Sequence, residues 1–154
     1  MTTVEETAVR KSVTVAVPPE LAFELFTDGI GDWWPFGSHS INGDAVETAV
    51  FEPRAGGRVY ERTGGGREAH WATVLVFDPP HRFVLEWKVN PNAVAPTEVE
   101  VRFQPEGGGT RVDLEHRGWE RLGDKAEAGR SSYDTGWDFV LGRYVARADA
   151  GRGT

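Results

Sequence analysis

The last quarter of the chain carries a hydrophobic pattern with helical spacing. Apolar and aromatic side chains recur there three or four positions apart, which places them on one face of an α-helix. The pattern predicts a long helix from about Ser131 to Ala150, and Ser131 with Asp134 has the form of a capping box at its start. Its three large aromatic rings suit either a solid core or one wall of a pocket. The stripe consists of Tyr133, Trp137, Val140, Leu141, Tyr144, Val145 and Ala148.

Near the N-terminus the pattern has first the period of a strand and then that of a short helix. Val13, Val15 and Val17 alternate with small or polar residues until two prolines end the alternation. Proline is tolerated in a first helical turn, and a short apolar face follows it before an Asp-Gly pair. The segment Ile30 to Trp34 adds one more helical turn. These features predict one strand followed by two short helices.

Six further strands are predicted between residues 45 and 117, because alternating segments there are separated by glycine-rich and proline-rich turns. Their approximate ranges are 45–52, 58–63, 69–77, 82–89, 97–104 and 110–117. In the last two strands apolar and charged side chains alternate, so one face is predicted to point inward and the other to be solvated. The inward set is Val99, Val101, Phe103, Val112, Leu114 and His116.

The order of elements predicts an α+β fold. A curved antiparallel sheet of about seven strands is expected to wrap around the long C-terminal helix, with two short helices after the first strand. With 154 residues, 39% of them hydrophobic, the chain has the size of one globular domain. We expect a single domain over residues 1–154, with an ordered core from about 9 to 150.

Charge and composition exclude several classes of partner. The net charge is −7, and no cluster of basic residues is interleaved with aromatic ones, so neither nucleic acid nor an anionic membrane is an expected partner. No apolar run approaches the roughly 18 residues of a membrane span, and the first eleven residues lack the pattern of a signal peptide. We expect a cytoplasmic protein that is a monomer or a weak homodimer. The absence of cysteine excludes disulfides and thiolate chemistry.

Candidate chemical groups are few. The four histidines are scattered without the spacing of a metal site, so neither a metal nor a cofactor is predicted. His116 lies on the inward face, where it would contact a ligand, move a proton, or simply be satisfied by neighbouring backbone groups. Glu61 and Glu86 are interpreted as solvated strand charges. The glycine triplets lack the context of phosphate-binding loops, and no catalytic residue is assigned.

Aromatic residues accumulate where a ligand pocket would lie in such a fold. Trp33, Trp34 and Phe36 flank Pro35, and they form either the lid of a pocket or a plug that packs the short helix on the sheet, which is the interpretation favoured for Trp33. A cavity lined by aromatic rings with a few polar tips suits flat polycyclic or otherwise apolar ligands, whereas a solid core is the alternative. The candidate ligand-binding residues are Trp34, Phe36, Trp71, Trp87, His116, Tyr133 and Trp137.

Three segments resemble one known family. They are VTVAVPPELAFELFTDGIGDWWP from Val13 to Pro35, DPPHRFVLEW from Asp78 to Trp87, and GWDFVLGRY from Gly136 to Tyr144. In them the chain is similar to the activator of ninety-kilodalton heat-shock-protein ATPase homologue family, within the START-like (SRPBCC, helix-grip) superfamily. The resemblance implies a cavity between the sheet and the long helix. It also implies roles such as those of lipid carriers, hormone receptors, polyketide aromatases and cyclases, and bacterial proteins that protect producers from their own natural products.

Three functions follow as hypotheses. The preferred one is non-enzymatic binding or sequestration of a hydrophobic, polycyclic small molecule in that cavity, as in bacterial natural-product binding or antibiotic self-resistance, because no catalytic constellation is visible. The second is a polyketide aromatase or cyclase in which His116 or Tyr133 moves a proton. The third, which the resemblance alone suggests, is a cofactor that activates a chaperone ATPase.

Overall fold

Seven antiparallel strands form one continuous sheet in the computed structural model, which describes residues 8–35, 37, 39–88 and 96–150. The order across the sheet is β1-β7-β6-β5-β4-β3-β2, so the first two strands of the chain form its opposite edges. The predicted strands are confirmed, with ends that move by a few residues. Their bounds are β1 Val9–Val15, β2 Val46–Phe51, β3 Arg58–Thr63, β4 Glu68–Asp78, β5 Arg82–Trp87, β6 Thr97–Glu106 and β7 Gly109–Arg117.

Two α-helices and three short 3-10 helices complete the described chain. Helix α1, Pro19–Phe26, and the 3-10 turn Ile30–Asp32 are the two short helices predicted after the first strand. A second 3-10 turn, Gly43–Ala45, precedes β2, and a third, Trp119–Lys125, precedes the long helix α2, Ala126–Ala150. The chain therefore has the α+β helix-grip architecture that its sequence predicts.

Helix α2 begins five residues earlier than predicted. Ser131 lies inside the helix, where its Oγ is 3.5 Å from Glu127 Oε1, so the capping-box interpretation is wrong. The 3-10 segment that precedes the helix contains a break at Gly123, whose φ of +57° and ψ of −123° are not helical, and α2 follows it from Ala126. The exposed residues of the first turns carry no apolar stripe, which is why the pattern indicated a later start.

The sheet curls around α2, and register shifts contribute to its curvature. The pairing shifts between Val59 and Tyr60 on β3 and between Val74 and Val76 on β4. Such bulges increase local twist and bend a sheet. The helix fills the resulting concave face with the stripe that the sequence predicts, of which Trp137, Val140, Leu141, Tyr144 and Ala148 are buried.

The interior between sheet and helix divides into two chemically different halves. The half beside α1 is packed with phenylalanines; the ring centroids of Phe23 and Phe103, for example, are 5.1 Å apart. Trp33 belongs to this solid half, as predicted, since it is buried against Phe26 and its Nε1 donates to Leu25 O over 2.8 Å. The other half contains tryptophans and histidine. The phenylalanine half comprises Phe23, Phe26, Phe51, Phe77, Phe83 and Phe103.

The outer face of the sheet carries the predicted charged residues. Arg117 on β7 donates to Glu98, Glu100 and Glu115 over 2.7 to 3.3 Å. Burial alone raises the pKa of Glu100, but the hydrogen bond from Arg117 and the nearby arginines outweigh it, so the pKa is lowered overall. This network holds the strands together opposite the face that supports the cavity.

Candidate functional site

A cavity of about 170 Å³ lies in the tryptophan half of the interior. Strands β4 and β5, helix α2 and the chain just before β2 contribute its walls. Five of the nine lining side chains are aromatic rings of tryptophan or tyrosine. The lining consists of Trp34, His39, Ser40, Trp71, Trp87, Tyr133, Gly136, Trp137 and Val140.

Regular secondary structure places most of these rings. Trp87 on β5 pairs with Ala72 of β4, and Trp71 lies at the shift where the β3–β4 pairing passes from Ala72 to His70. Both indoles are buried, with centroids 6.3 Å apart. Trp34 follows the 3-10 turn after α1 and packs on Trp71 with centroids 4.8 Å apart. Trp137 closes the group from α2, 5.6 Å from Trp87. Strand and helix pairing therefore hold the aromatic wall.

Every indole N–H in this wall is used inside the protein. Trp34 Nε1 donates to His39 O over 2.6 Å, and Trp71 Nε1 donates to Glu61 Oε1 over 2.7 Å. Trp87 Nε1 donates to Tyr133 Oη over 2.9 Å, and Trp137 Nε1 donates to His116 Nδ1 over 3.0 Å. Because a tryptophan side chain has no other polar atom, the indoles offer a ligand only their carbon faces and edges. The partners are His39, Glu61, His116 and Tyr133.

His116 lies behind the wall and is fully buried. Burial lowers the pKa of this imidazole to about 3, so the ring is neutral at physiological pH. The indole of Trp137 can only donate, so Nδ1 carries the lone pair and Nε2 carries the hydrogen, which is donated to Thr97 Oγ1 over 2.7 Å. Both ring nitrogens are therefore engaged in hydrogen bonds. The imidazole holds Trp137 in position without lining the cavity itself.

Glu61 is the clearest difference from the sequence interpretation. It was expected to be a solvated strand charge, but it is fully buried and accepts four hydrogen bonds. Strand alternation contained the signal, because Glu61 shares a face with Val59 and Thr63, which are both buried. Glu86, the other carboxylate considered, is exposed as expected.

Tyr133 places its hydroxyl group at the cavity. Its hydroxyl accepts from Trp87 Nε1 over 2.9 Å, and as an O–H group it also carries one hydrogen that it can donate. Burial raises the pKa of this hydroxyl, so it remains protonated at neutral pH. The hydroxyl is consequently able to donate one hydrogen bond to a molecule in the cavity.

The mouth of the cavity lies between the chain at residues 39–40 and the start of α2. Trp71, Trp87 and Trp137 are buried, whereas His39, Ser40, Tyr133 and Gly136 retain partial exposure. The His39 ring stacks on Phe139 of α2, with centroids 5.1 Å apart and an angle of 8° between the planes. A Cβ atom at Gly136 would lie 3.8 Å from the His39 ring, so the glycine leaves room at this rim.

The predicted site residues are thus largely brought together. Trp34, Trp71, Trp87, Tyr133 and Trp137 line one cavity, and His116 lies behind it. Phe36 lies outside the described residues. The sequence analysis missed lining positions that carry no distinctive pattern, because their role depends on how the chain before β2 folds against α2. They are His39, Ser40 and Gly136, whereas Val140, which also lines the cavity, belongs to the predicted stripe of α2.

Two further features bear on the class of site. Within residues 8–35, 37, 39–88 and 96–150, no group of three or more histidines and carboxylates is arranged to hold a metal ion. Over the same part of the chain, no helix combines the length and apolar character needed to cross a bilayer.

Comparison with known proteins gives relatives among solved structures, whereas no curated protein matches. The chain is 38% identical to an anthrahydroquino-gamma-pyrone synthase, Txn09, complexed with SUM; the match covers 82% of this chain and 86% of that one, with a TM-score of 0.55. It is 30% identical to CalC, a self-sacrificing resistance protein from Micromonospora echinospora, over 94% and 95% of the two chains, with a TM-score of 0.70.

The fold also matches that of the Aha1 dimer from Colwellia psychrerythraea. That match has a TM-score of 0.66 and covers 94% of this chain and 97% of that one, at 18% identity. The family model described as "Activator of Hsp90 ATPase homolog 1-like protein" matches residues 16–145, which include every residue that lines the cavity. By this match over most of its length, the chain belongs to the Activator of Hsp90 ATPase homolog 1-like family.

Proposed function

We propose that this protein binds a flat, uncharged aromatic small molecule in the tryptophan-lined cavity without converting it. The observation that carries the proposal is the aromatic wall whose indole N–H groups are all satisfied internally. A wall of this kind favours stacking and edge contacts with the π faces of a ligand. It provides few hydrogen-bonding groups for a polar ligand and little stabilisation for a flexible one. Aromatic compounds of the polyketide class have the required shape.

The chemistry of the lining supports an uncharged ligand. No carboxylate, lysine or arginine lines the cavity among the described residues, so neither an anionic nor a cationic ligand would find a counter-charge there. The Tyr133 hydroxyl supplies one donor inside, and His39 and Ser40 supply polar atoms at the rim. A carbonyl oxygen on an aromatic ring would match the Tyr133 donor.

The volume of the cavity limits how much of a ligand can enter it, and the rest of a larger ligand would stay at the mouth. Cavities near 150 Å³ hold a single benzene ring, and sites for larger organic ligands are typically about 300 to 1,000 Å³. At about 170 Å³ the cavity accepts one ring, and a polycyclic molecule would extend past His39 and Gly136 or require the mouth to widen.

The buried titratable groups favour binding over catalysis. His116 is neutral, has both nitrogens engaged and does not line the cavity, and each oxygen of Glu61 accepts two hydrogen bonds. A general base must reach the proton it removes, and neither group does so in this arrangement. The chain is also 30% identical to CalC, a self-sacrificing resistance protein, and a protective role of that kind does not require turnover of a substrate.

A second candidate is a ring-closing enzyme of polyketide type. The observation in its favour is the 38% identity to the synthase Txn09 together with the protonated Tyr133 hydroxyl in the cavity. In that function the cavity would orient a poly-ketone, and Tyr133 would polarise one carbonyl oxygen by hydrogen bonding.

Titration calorimetry with two probes tests the proposal. Acetophenone has one ring and a carbonyl group, and 1,8-dihydroxyanthraquinone has three fused rings. We expect saturable binding of both at one site per chain, with the probes recovered unchanged by mass spectrometry. If neither probe binds saturably, the proposed function is contradicted. A converted product from a poly-ketone substrate would favour the second candidate instead.

A further inference from the structure

Glu61 joins the sheet to the mouth of the cavity. Its Oε1 accepts from the backbone N–H of Ile41 over 2.6 Å and from Trp71 Nε1 over 2.7 Å. Its Oε2 accepts from the backbone N–H of Asn42 over 2.7 Å and from Asn42 Nδ2 over 2.9 Å. One buried carboxylate on β3 therefore holds a wall residue and a loop at the same time.

The loop it holds forms part of the rim. We call residues 39–42 the mouth segment; His39 and Ser40 within it line the cavity, and Ile41 and Asn42 supply three of the four donors to Glu61. All four partners of Glu61 are N–H donors, so both of its oxygens act as acceptors in this arrangement. The arrangement fixes the mouth segment to the sheet although the segment has no strand or helix of its own.

The other walls have less freedom to move. Trp71 and Trp87 lie on paired strands, and Trp137 and Val140 lie on the buried stripe of α2. Ile41 is 40% exposed, and the ring of His39 rests on Phe139, which is itself 52% exposed. Displacing the mouth segment breaks the bond from Trp34 Nε1 to His39 O and opens the cavity, but it leaves the paired strands and α2 in place, whereas displacing a strand or α2 would disrupt the core.

We propose that Glu61 is a latch that keeps the mouth segment closed over the cavity, and that release of this latch admits aromatic ligands too large for the closed cavity. The inference rests on the proposed function, because it concerns how the same cavity selects its ligand. Glu61 is a positioning residue in this scheme and does not touch the ligand. A ligand that binds only the open state has an apparent Kd equal to its intrinsic Kd divided by the fraction of molecules that are open.

The test compares Glu61→Gln with wild type. The amide retains one acceptor oxygen and replaces the other with a donor, which faces two of the four existing donors. Hydrogen exchange measured by NMR should be at least tenfold faster at the amides of Ile41 and Asn42, and unchanged in β5 and β6. The affinity for 1,8-dihydroxyanthraquinone should rise about tenfold because the open fraction rises, whereas the affinity for acetophenone should stay within twofold.

Two further variants complete the design. Asn42→Ala removes only the bond from Nδ2, leaves the core intact, and should raise the affinity for the anthraquinone about threefold; it carries the test if Glu61→Gln does not fold. Glu86→Gln alters an exposed carboxylate on β5 and should change neither exchange nor affinity.

The outcomes separate the two proposals. Faster exchange in the mouth segment together with selective gain for the larger probe supports the latch. Equal changes for both probes, or unchanged exchange at Ile41 and Asn42, overturn the latch and leave the proposed function standing. If neither the wild type nor any variant binds acetophenone or 1,8-dihydroxyanthraquinone, both the latch and the proposed function are overturned.

Discussion

Trp137 Nε1 donates to His116 Nδ1 across 3.0 Å, and this bond ties the state of a buried imidazole to the position of a cavity wall. The indole can bond only to the unprotonated nitrogen, so a proton on Nδ1 would break the contact. Protonation of His116 would also place an uncompensated charge in the interior. The geometry of the wall is therefore secure only while the imidazole is neutral.

This relationship predicts a pH dependence of stability. The pKa of His116 is lowered to about 3 in the folded protein from 6.5 in the unfolded chain, so the unfolded state binds more protons between these values. Above pH 6.5 the protonation of His116 does not affect stability. As pH falls from 6.5 toward 3, the free energy of unfolding decreases by up to about 1.4 kcal/mol per pH unit. Urea unfolding between pH 7 and 4 measures the slope.

The matched variants for that prediction are His116→Gln and His81→Gln. Glutamine at position 116 retains an acceptor and a donor but does not titrate, so we expect a shallower slope by about one proton in the pH 4–6 range. His81 is exposed in the turn before β5, and its variant should keep the wild-type slope. Identical slopes for wild type and His116→Gln would show that the imidazole is not neutralised by burial.

Replacing Tyr133 with phenylalanine should affect both stability and ligand choice. The change leaves Trp87 Nε1 without its acceptor, and an unsatisfied buried donor costs about 1 to 3 kcal/mol. It also removes the donor proposed for a ligand carbonyl, worth about 1 kcal/mol or roughly fivefold in Kd. NMR titration should show weaker binding of acetophenone and unchanged binding of ethylbenzene, which lacks the oxygen. A parallel loss for both ligands would mean that the hydroxyl only shapes the wall.

Two glycines of α2 offer a matched test of where the mouth lies. A side chain at Gly136 would point toward His39, whereas a side chain at Gly142 would meet nothing within 4 Å. We expect Gly136→Leu to abolish probe binding and Gly142→Leu to leave it unchanged, as measured by calorimetry. Alanine at Gly142 should stabilise the protein by about 0.5 to 1 kcal/mol, because glycine is a poor helix former. Retained binding in Gly136→Leu would place the mouth elsewhere.

The charged network around Arg117 should contribute more to stability than the more exposed cluster around Arg111. Arg117 has a side chain that is 27% exposed and bonds to three carboxylates, which would repel one another in its absence. Arg117→Met should lower the free energy of unfolding by about 1 to 2 kcal/mol, between the values for exposed and buried ion pairs. Arg111 lies in a separate cluster with Glu106 and Asp113, and its side chain is 40% exposed, so Arg111→Met should cost less than about 1 kcal/mol. Equal losses in urea unfolding would indicate that the network adds nothing beyond single pairs.

The sequence was sufficient for features with a regular period. The stripe from Tyr133 to Ala148 repeats over several helical turns, and the alternation in β6 and β7 assigns inner and outer faces residue by residue. Both signals are local, because they depend only on which side chains share a face of one element. The fold follows from them together with the turn signals between the strands.

The details of the site depend on partners that are distant in sequence. Glu61 resembles a surface charge on its strand, and its burial makes sense only once Ile41, Asn42 and Trp71 converge on it. The backbone break at Gly123, inside the 3-10 segment before α2, is likewise not indicated by any hydrophobic period. His39 and Ser40 have no periodic pattern at all, so their place at the mouth could not be predicted.

The internal partners of the indoles also constrain how this cavity can change over evolutionary time. Trp71 depends on Glu61, Trp87 on Tyr133 and Trp137 on His116, so replacing Glu61, Tyr133 or His116 leaves a buried indole N–H without its acceptor. Homologues that lack one of these three acceptors should therefore lack the partner tryptophan as well, and the three pairs should covary. Lineages would then adapt the cavity to new ligands in paired steps, whereas Val140, which has no polar partner, could change on its own.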